Sequence, residues 1–259
     1  MFDLFPSRTV AVEILGFPIH WYGILYVLSF IIAMVLLPRL QRYRSLSLRS
    51  EQWLDVISWG IVGVLVGGRL GFVLFYEPSY FLQAPWKIIA VWEGGMSSHG
   101  GFIGVAVAML HAFRKHGIPV WKAADLVSVP AAIGLSFGRM GNFINGELYG
   151  TVTDLPWGMA FPGAQGLRHP VQLYAVALDL CIALACFFLL ARGTPKTDGR
   201  LFAVFLMLYG IVRFSLEFLR DQTYEPLLFL TRGQALTVPL LLAGLALWFV
   251  LPNLAKDTR

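Results

Sequence analysis

Seven stretches, at roughly residues 18–38, 53–76, 97–113, 120–138, 170–191, 200–219 and 234–252, are apolar over about the length that a helix needs to cross a bilayer. Lipid offers no partners to peptide groups, so segments of this kind must satisfy their backbone internally, as helices do. Charged residues make up only 14% of the 259-residue chain, against about 25% in a soluble domain. The reading is an all-α polytopic membrane protein of seven transmembrane helices. They form a single domain over 1–259, with short interfacial and external segments at about 1–17, 77–96 and 139–169. The third and fourth stretches are shorter and partly polar. The first is too long for a signal-peptide core and is followed by Pro38-Arg39 rather than a small-residue cleavage pattern, so it reads as a retained helix.

Basic residues orient the chain. Arg39, Arg42, Arg44 and Arg49 follow the first stretch. Arg114, Lys115 and Lys122 follow the third, and Arg192, Lys196 and Arg200 follow the fifth. With Lys256 and Arg259 in the tail, twelve of the 20 basic residues fall on one side. The positive-inside rule makes that side cytoplasmic, with the N-terminus outside and the C-terminus inside. The net charge of +5 follows from this bias and gives no reason to expect nucleic-acid binding. Cys181 and Cys186 are five apart on one helix, point in different directions and read as packing residues. No metal-ligand spacing is present. His111 and His116, at the inner end of the third stretch, read as solvated or interfacial.

With that orientation the remaining polar residues gather on the outer side. The densest group is GRMGNFINGELYG, Gly138–Gly150, with Arg139, Asn142, Asn145 and Glu147 at the end of an apolar run. Ionisable groups at membrane depth are costly and mark functional sites by default; the plain alternative is a polar loop just outside the bilayer. YGIVRFSLEFLR, Tyr209–Arg220, sets Arg213, Glu217 and Arg220 at i, i+4 and i+7, on one helix face with Tyr209. Two arginines against one carboxylate leave a positive charge to be met from elsewhere. A phosphate carrying a lipid tail suits such a surface, because arginine offers a forked donor pair to phosphate.

Further residues have two readings each. Arg69, in the glycine-rich GIVGVLVGGRLG, either snorkels outward or meets an anionic head group, while Gly63, Gly67 and Gly71 are spaced for close helix packing. His99, in EGGMSSHGGFIG, is either structural or a proton-exchanging group beside a bound anion, with its following glycines leaving room for backbone to approach. Trp21 and Tyr22 suit an interfacial aromatic belt, though Tyr22 and His20 also lie at the depth of the other polar clusters. Residues 79–92, interrupted by Pro85, and the segment Met1–Gly16 with Phe2, Leu4 and Phe5 suit positions flat on the outer surface. A transporter of anions or protons is the main rival; no inverted repeat is visible, and the polar groups lie to one side rather than near the midplane. The clustered aspartates of a metal-dependent phosphatidyl transferase and an HExxH pair are missing from the sequence.

The ordered motifs HWYG (20–23), GGRLGFVLFY (67–76), WEGGMSSHGGFIG (92–104), GRMGNFINGELYG (138–150), RHPVQLY (168–174), YGIVRFSLEFLR (209–220) and GQALTVP (233–239) resemble those of the bacterial prolipoprotein diacylglyceryl transferases over nearly the whole chain. The resemblance implies a seven-helix enzyme of the bacterial inner membrane, with its site toward the periplasm and no cofactor or metal. Its partners would be phosphatidylglycerol, membrane lipid and prolipoprotein signal peptides bearing a lipobox cysteine. Diacylglyceryl would pass to that cysteine thiol, leaving a thioether and glycerol-1-phosphate. Carried over residue by residue, Arg139 and Arg213 would hold the phosphate and His99 would be the general base. Tyr22, Arg69, Asn142, Asn145, Glu147, Gly150, Glu217 and Arg220 would complete the substrate site. Ala175 stands where the family often has glutamate, and the segment between Pro162 and Arg168 is short.

Overall fold

Apolar runs this long fold as helices, and the computed structural model shows them in two compact units, one of residues 34–123 and one of 1–33 with 124–259. The structure describes residues 9–91, 94–222 and 229–257, with the backbone alone at residue 98 and at 254–257. Phe2, Leu4 and Phe5 of the expected N-terminal surface segment lie outside the described residues, as do Trp92, Glu93 and Arg259.

The helices are α1 (Trp21–Leu40), α2 (Ser50–Phe75), α3 (Pro78–Gln83), α4 (Ser98–Lys115), α5 (Val120–Asn145), α6 (Val171–Ala191), α7 (Arg200–Leu216) and α8 (Arg232–Asp257). Among the described residues, six helical segments are long and apolar enough to cross a membrane: Trp21–Arg44, Ser50–Phe75, Val120–Asn145, Val171–Ala191, Arg200–Leu219 and Arg232–Asn253. The chain is therefore a multi-pass membrane protein. The expected third span is helical as α4, but it is not among the six. Its 18 residues begin SHGG and end RK, which leaves too short an apolar stretch.

Ahead of α1 the all-α expectation gains a small exception. Strands β1 (Val10–Ile14) and β2 (Phe17–His20) pair antiparallel, turning through Leu15 and Gly16, both at positive φ. The segment expected to open the first helix at residue 18 is thus strand, and α1 starts at Trp21.

In the 34–123 unit, α2 and α4 meet along a glycine seam. A Cβ on Gly67 would crowd Gly104 Cα at 2.7 Å, and one on Gly100 would crowd Gly71 Cα at 2.9 Å. Close backbone approach of this kind is what small residues four apart allow. The packing reading of Gly63, Gly67 and Gly71 holds, and Gly100 and Gly104 supply the facing surface. At the other end of α2, Asp55 accepts from Lys115 Nζ and His116 Nε2, each at 2.8 Å. His116 thus has a carboxylate partner that lies far away in sequence. His111 packs edge-on against Trp59, with ring centroids 4.8 Å apart.

In the other unit, α7 packs between α6 and α8. Its N-terminus is capped from a different helix. Fully buried Asp125 of α5 accepts from the backbone N–H groups of Gly199 and Phe202 at 3.0 and 2.9 Å. Two of the donors that every helix start leaves unpaired are thereby satisfied. Cys181 is exposed and Cys186 buried, both as free thiols.

Candidate active site

The site is assembled at the C-terminal ends of α5 and α7 and the start of α6. Arg139, Asn142 and Asn145 occupy the last two turns of α5, which continues through Asn145 rather than stopping near 138. The helix then ends in a Schellman motif: Gly146 has φ 71, its N–H donates to Phe143 O at 3.0 Å, and Glu147 N–H donates to Asn142 O at 3.0 Å. That turn brings the Glu147 carboxylate back over the helix end. Its Oε1 accepts from Asn142 Nδ2 at 2.8 Å and from Asn145 Nδ2 at 3.4 Å. Glu147 is therefore oriented by two asparagines of the helix it follows.

Past Leu148, which has φ 59, the loop is stitched to its neighbours. Gly150 N–H donates to His169 O at 2.9 Å, Thr151 N–H to Leu219 O at 2.9 Å and Asp221 N–H to Tyr149 O at 3.2 Å. A Cβ on Gly150 would lie 2.6 Å from His169 Cβ, Leu219 O and Val171 Cγ2. Gly150 is the point where three backbone segments cross. The RHPVQLY stretch serves the same assembly. Arg168 pairs with Asp221 at 2.9 Å, and the Tyr174 hydroxyl meets Trp157 Nε1 at 2.7 Å and His169 Nδ1 at 3.2 Å.

On α7 and the turn after it, Arg213 and Arg220 (Nη1, 3.6 Å) both engage Oε2 of Glu217, which is 3% exposed. The expected pairing is present, but not on one continuous α-helix: α7 ends at Leu216, Glu217–Leu219 is a 3-10 turn and Arg220 is extended. A Cβ on Gly233, at the start of α8, would run into the Glu217 carboxylate, so this glycine is what lets α8 pass over the pair. Burial lowers the pKa of Arg220; Glu217 opposes that shift, and the charges of Arg213 and Arg139 add to it. Arginine remains a cation regardless.

Arg139, Arg213 and Arg220 line one cavity of about 30 Å³. Asn142 and Gln172 complete its polar wall, with Leu148, Val171, Ala175 and Leu216 as its apolar one. Tyr209, Asp179 and Tyr22 are within electrostatic reach of Arg139. The Tyr22 ring fills the space where a Cβ on Gly141 would be, with Cε2 at 2.8 Å, so a glycine one turn from Asn145 makes room for it. Three guanidinium groups around one small space, with Glu217 shared by two of them, form a site for an anion.

Two expected site residues belong to the 34–123 unit. Arg69 neither snorkels nor presents a free fork. It is 6% exposed, and its Nε donates to Ile88 O at 2.8 Å, Nη2 to Lys87 O at 2.6 Å and Nη1 to the carbonyls of Gly94 and Gly95. It also lies over the Phe81 ring at 5.1 Å. Arg69 thus clamps the connection between α3 and α4 through that connection's backbone. His99 is exposed in the first turn of α4, where the Ser97 hydroxyl accepts from Gly100 N–H at 3.2 Å. Gly100 after it serves the α2–α4 seam.

Sequence reasoning missed several contributors. Asp179 is 2% exposed in α6, with Arg139 and Arg213 in electrostatic range. An aspartate inside an apolar run was itself the available signal. Asp125 carried the same signal. Gln172 and Gly233 lie in the RHPVQLY and GQALTVP motifs, but their own chemistry gave no signal, because their roles depend on what packs against them.

The fold and the cavity together define a class: a multi-pass membrane protein with an arginine-lined cavity between helix ends, chemically suited to an anion. A model of the prolipoprotein diacylglyceryl transferase family matches residues 9–250. Phosphatidylglycerol--prolipoprotein diacylglyceryl transferases from Nitrosomonas europaea and Geobacter sulfurreducens are 42% and 44% identical to this chain, over 93% and 88% of it and 88% and 89% of their own lengths. One from Bordetella avium is 42% identical over 92% of each. The chain belongs to the prolipoprotein diacylglyceryl transferase family.

Proposed function

We infer that this protein is a transferase that moves diacylglyceryl from phosphatidylglycerol to the thiol of a prolipoprotein's lipobox cysteine. The arginine-lined cavity in a member of this family is the observation that carries the reading. A carbon–sulfur bond forms at the terminal glycerol carbon of the lipid. The carbon–oxygen bond to phosphate breaks, and glycerol-1-phosphate leaves with the electron pair. Arg139 and Arg213 hold the phosphate and meet the charge that grows on it, the role for which fixed cations are most effective. Arg220 adds a third cation, and Glu217 keeps both of its arginines in place. Asn142 and Asn145 hold Glu147, Gly150 lets the loop close, and Tyr22 positions the head group.

The cysteine must lose a proton that it holds up to a pH near 8.5. His99 receives it, with the arginine field favouring the thiolate. Arg69 serves through shape, by holding the connection that leads into His99's helix. In this reading α4 also spans the membrane. That makes seven spans in a single domain, with the N-terminus periplasmic and the C-terminus cytoplasmic in the inner membrane. Residues up to about 17, 77–96 and the stretch from the end of α5 to 169 lie at or outside the periplasmic surface.

An intact-mass assay tests the reaction. Purified protein in detergent is given phosphatidylglycerol and a lipobox peptide with one cysteine. The expected result is a mass gain of one diacylglyceryl group on the thiol with release of glycerol phosphate. A folded protein that leaves the peptide unmodified overturns the assignment.

A further inference from the structure

Arginine side chains only donate hydrogen bonds, so a cavity walled by three of them is short of acceptors. Gln172 supplies one. It lines the cavity at the start of α6 and is 2% exposed. Its Nε2 donates to the backbone carbonyl of Glu147 at 2.7 Å, which fixes the plane and sense of the amide. The opposite atom, Oε1, is buried and has no hydrogen-bond partner. Buried polar atoms nearly always have partners, and an exception asks for an explanation. The carbonyl that orients this amide belongs to the signature loop, so the acceptor is held by the same turn that holds Glu147 over the end of α5.

We propose that Gln172 is a specificity-determining residue whose Oε1 accepts a hydrogen bond from a free hydroxyl of the phospholipid's head-group glycerol. This rests on the transferase reading above. The arginines take the phosphate oxygens, which are acceptors, and Gln172 takes the hydroxyl, which is a donor. A cavity of about 30 Å³ has room for a hydroxyl-sized group. An ethanolamine head group would bring a fourth cation beside three guanidinium groups. A head group lacking hydroxyls would leave Oε1 buried and unpaired. The glutamine thereby selects a neutral, hydroxylated head group over both.

The test compares two lipids with the same acyl chains, phosphatidylglycerol and phosphatidyl-n-propanol, whose head group has no hydroxyl. The full-length chain in detergent is assayed by mass gain on a single-cysteine lipobox peptide. For the wild type, kcat/KM is expected to favour phosphatidylglycerol by about 10-fold, the loss expected for one missing hydrogen bond that leaves a buried group unpaired. Gln172→Met should lower kcat/KM for phosphatidylglycerol by about 10-fold and bring the two lipids close to parity. A Gln172→Met protein that keeps the wild-type ratio, even at reduced activity, overturns the proposal. So does a wild-type protein that uses both lipids equally, which needs no variant to fold. Wild-type turnover of phosphatidylglycerol tests the transferase reading separately: if it occurs without discrimination, only the Gln172 assignment falls, and if neither lipid modifies the peptide, both fall.

Discussion

Arg139 shows how little of a residue's role lies in its own identity. Five arginines occur in the motifs that carry the resemblance, and burial and partners separate them; Arg168 pairs with Asp221. Arg69 spends its guanidinium on four backbone carbonyls and acts as a structural clamp. Arg213 and Arg220 share one carboxylate, and Arg139 joins them at the cavity wall. Replacing a planar fork by a point charge keeps the charge and loses the paired geometry. Arg139→Lys should therefore lower kcat by about 100-fold, as loss of one transition-state donor does, with the protein still folded. Lipid transfer onto the test peptide measures this, and near-normal turnover would remove Arg139 from the phosphate site. Glu217 illustrates the converse. Removing one member of a buried ion pair leaves a lone buried charge and costs about 3–5 kcal/mol. Its two arginines therefore depend on it for more than neutrality.

Elements hold these residues through contacts with a single purpose each. The α2–α4 seam is backbone against backbone, so its tolerance to substitution is position-specific. A Cβ at Gly104 would meet Gly67 Cα at 2.8 Å and Gly63 C at 3.0 Å, while one at Gly101 would find its nearest neighbour, Val64 O, at 3.7 Å. Gly104→Val should destabilise the protein by about 1–3 kcal/mol, the cost of overpacking, seen as a lower Tm in detergent. Gly101→Ala should leave Tm near the wild-type value. Equal effects at both positions would mean that the seam does not bear on stability. The Asp125 cap works at the same scale. Losing a cap costs about 0.5–2 kcal/mol, and this one joins α5, which carries Arg139, to α7, which carries Arg213.

At the scale of the whole molecule the open quantity is the number of spans. Among the described residues six helices satisfy length and hydropathy, and α4, with polar residues at both ends, is the seventh in the proposed topology. An odd count puts the termini on opposite sides and an even count on the same side. In a background without Cys181 and Cys186, Leu15→Cys should react with a membrane-impermeant maleimide added outside intact cells, and Asn253→Cys should react only after permeabilisation. Labelling of both from one side would reduce the count to six. Much of this architecture was legible in sequence. Apolar length implies helices because lipid leaves a backbone no alternative. The glycine spacing implied close packing, and the i, i+4 and i+7 charges implied one face. The candidate site residues Arg139, Asn142, Glu147, Arg213 and Arg220 were legible as charge and amide groups too costly to leave idle at membrane depth. Tertiary structure decided which of them meet. It turned Arg69 from a candidate ligand into a loop clamp and extended α5 through Asn145. It also set Gln172 and Asp179 beside the arginines and made Gly150 and Gly233 the points where other chains of atoms pass. The division is physical: periodicity and hydropathy act within one segment and are written in order along the chain, whereas a hydrogen bond or a close approach depends on the coordinates of two segments, which no single stretch of sequence contains.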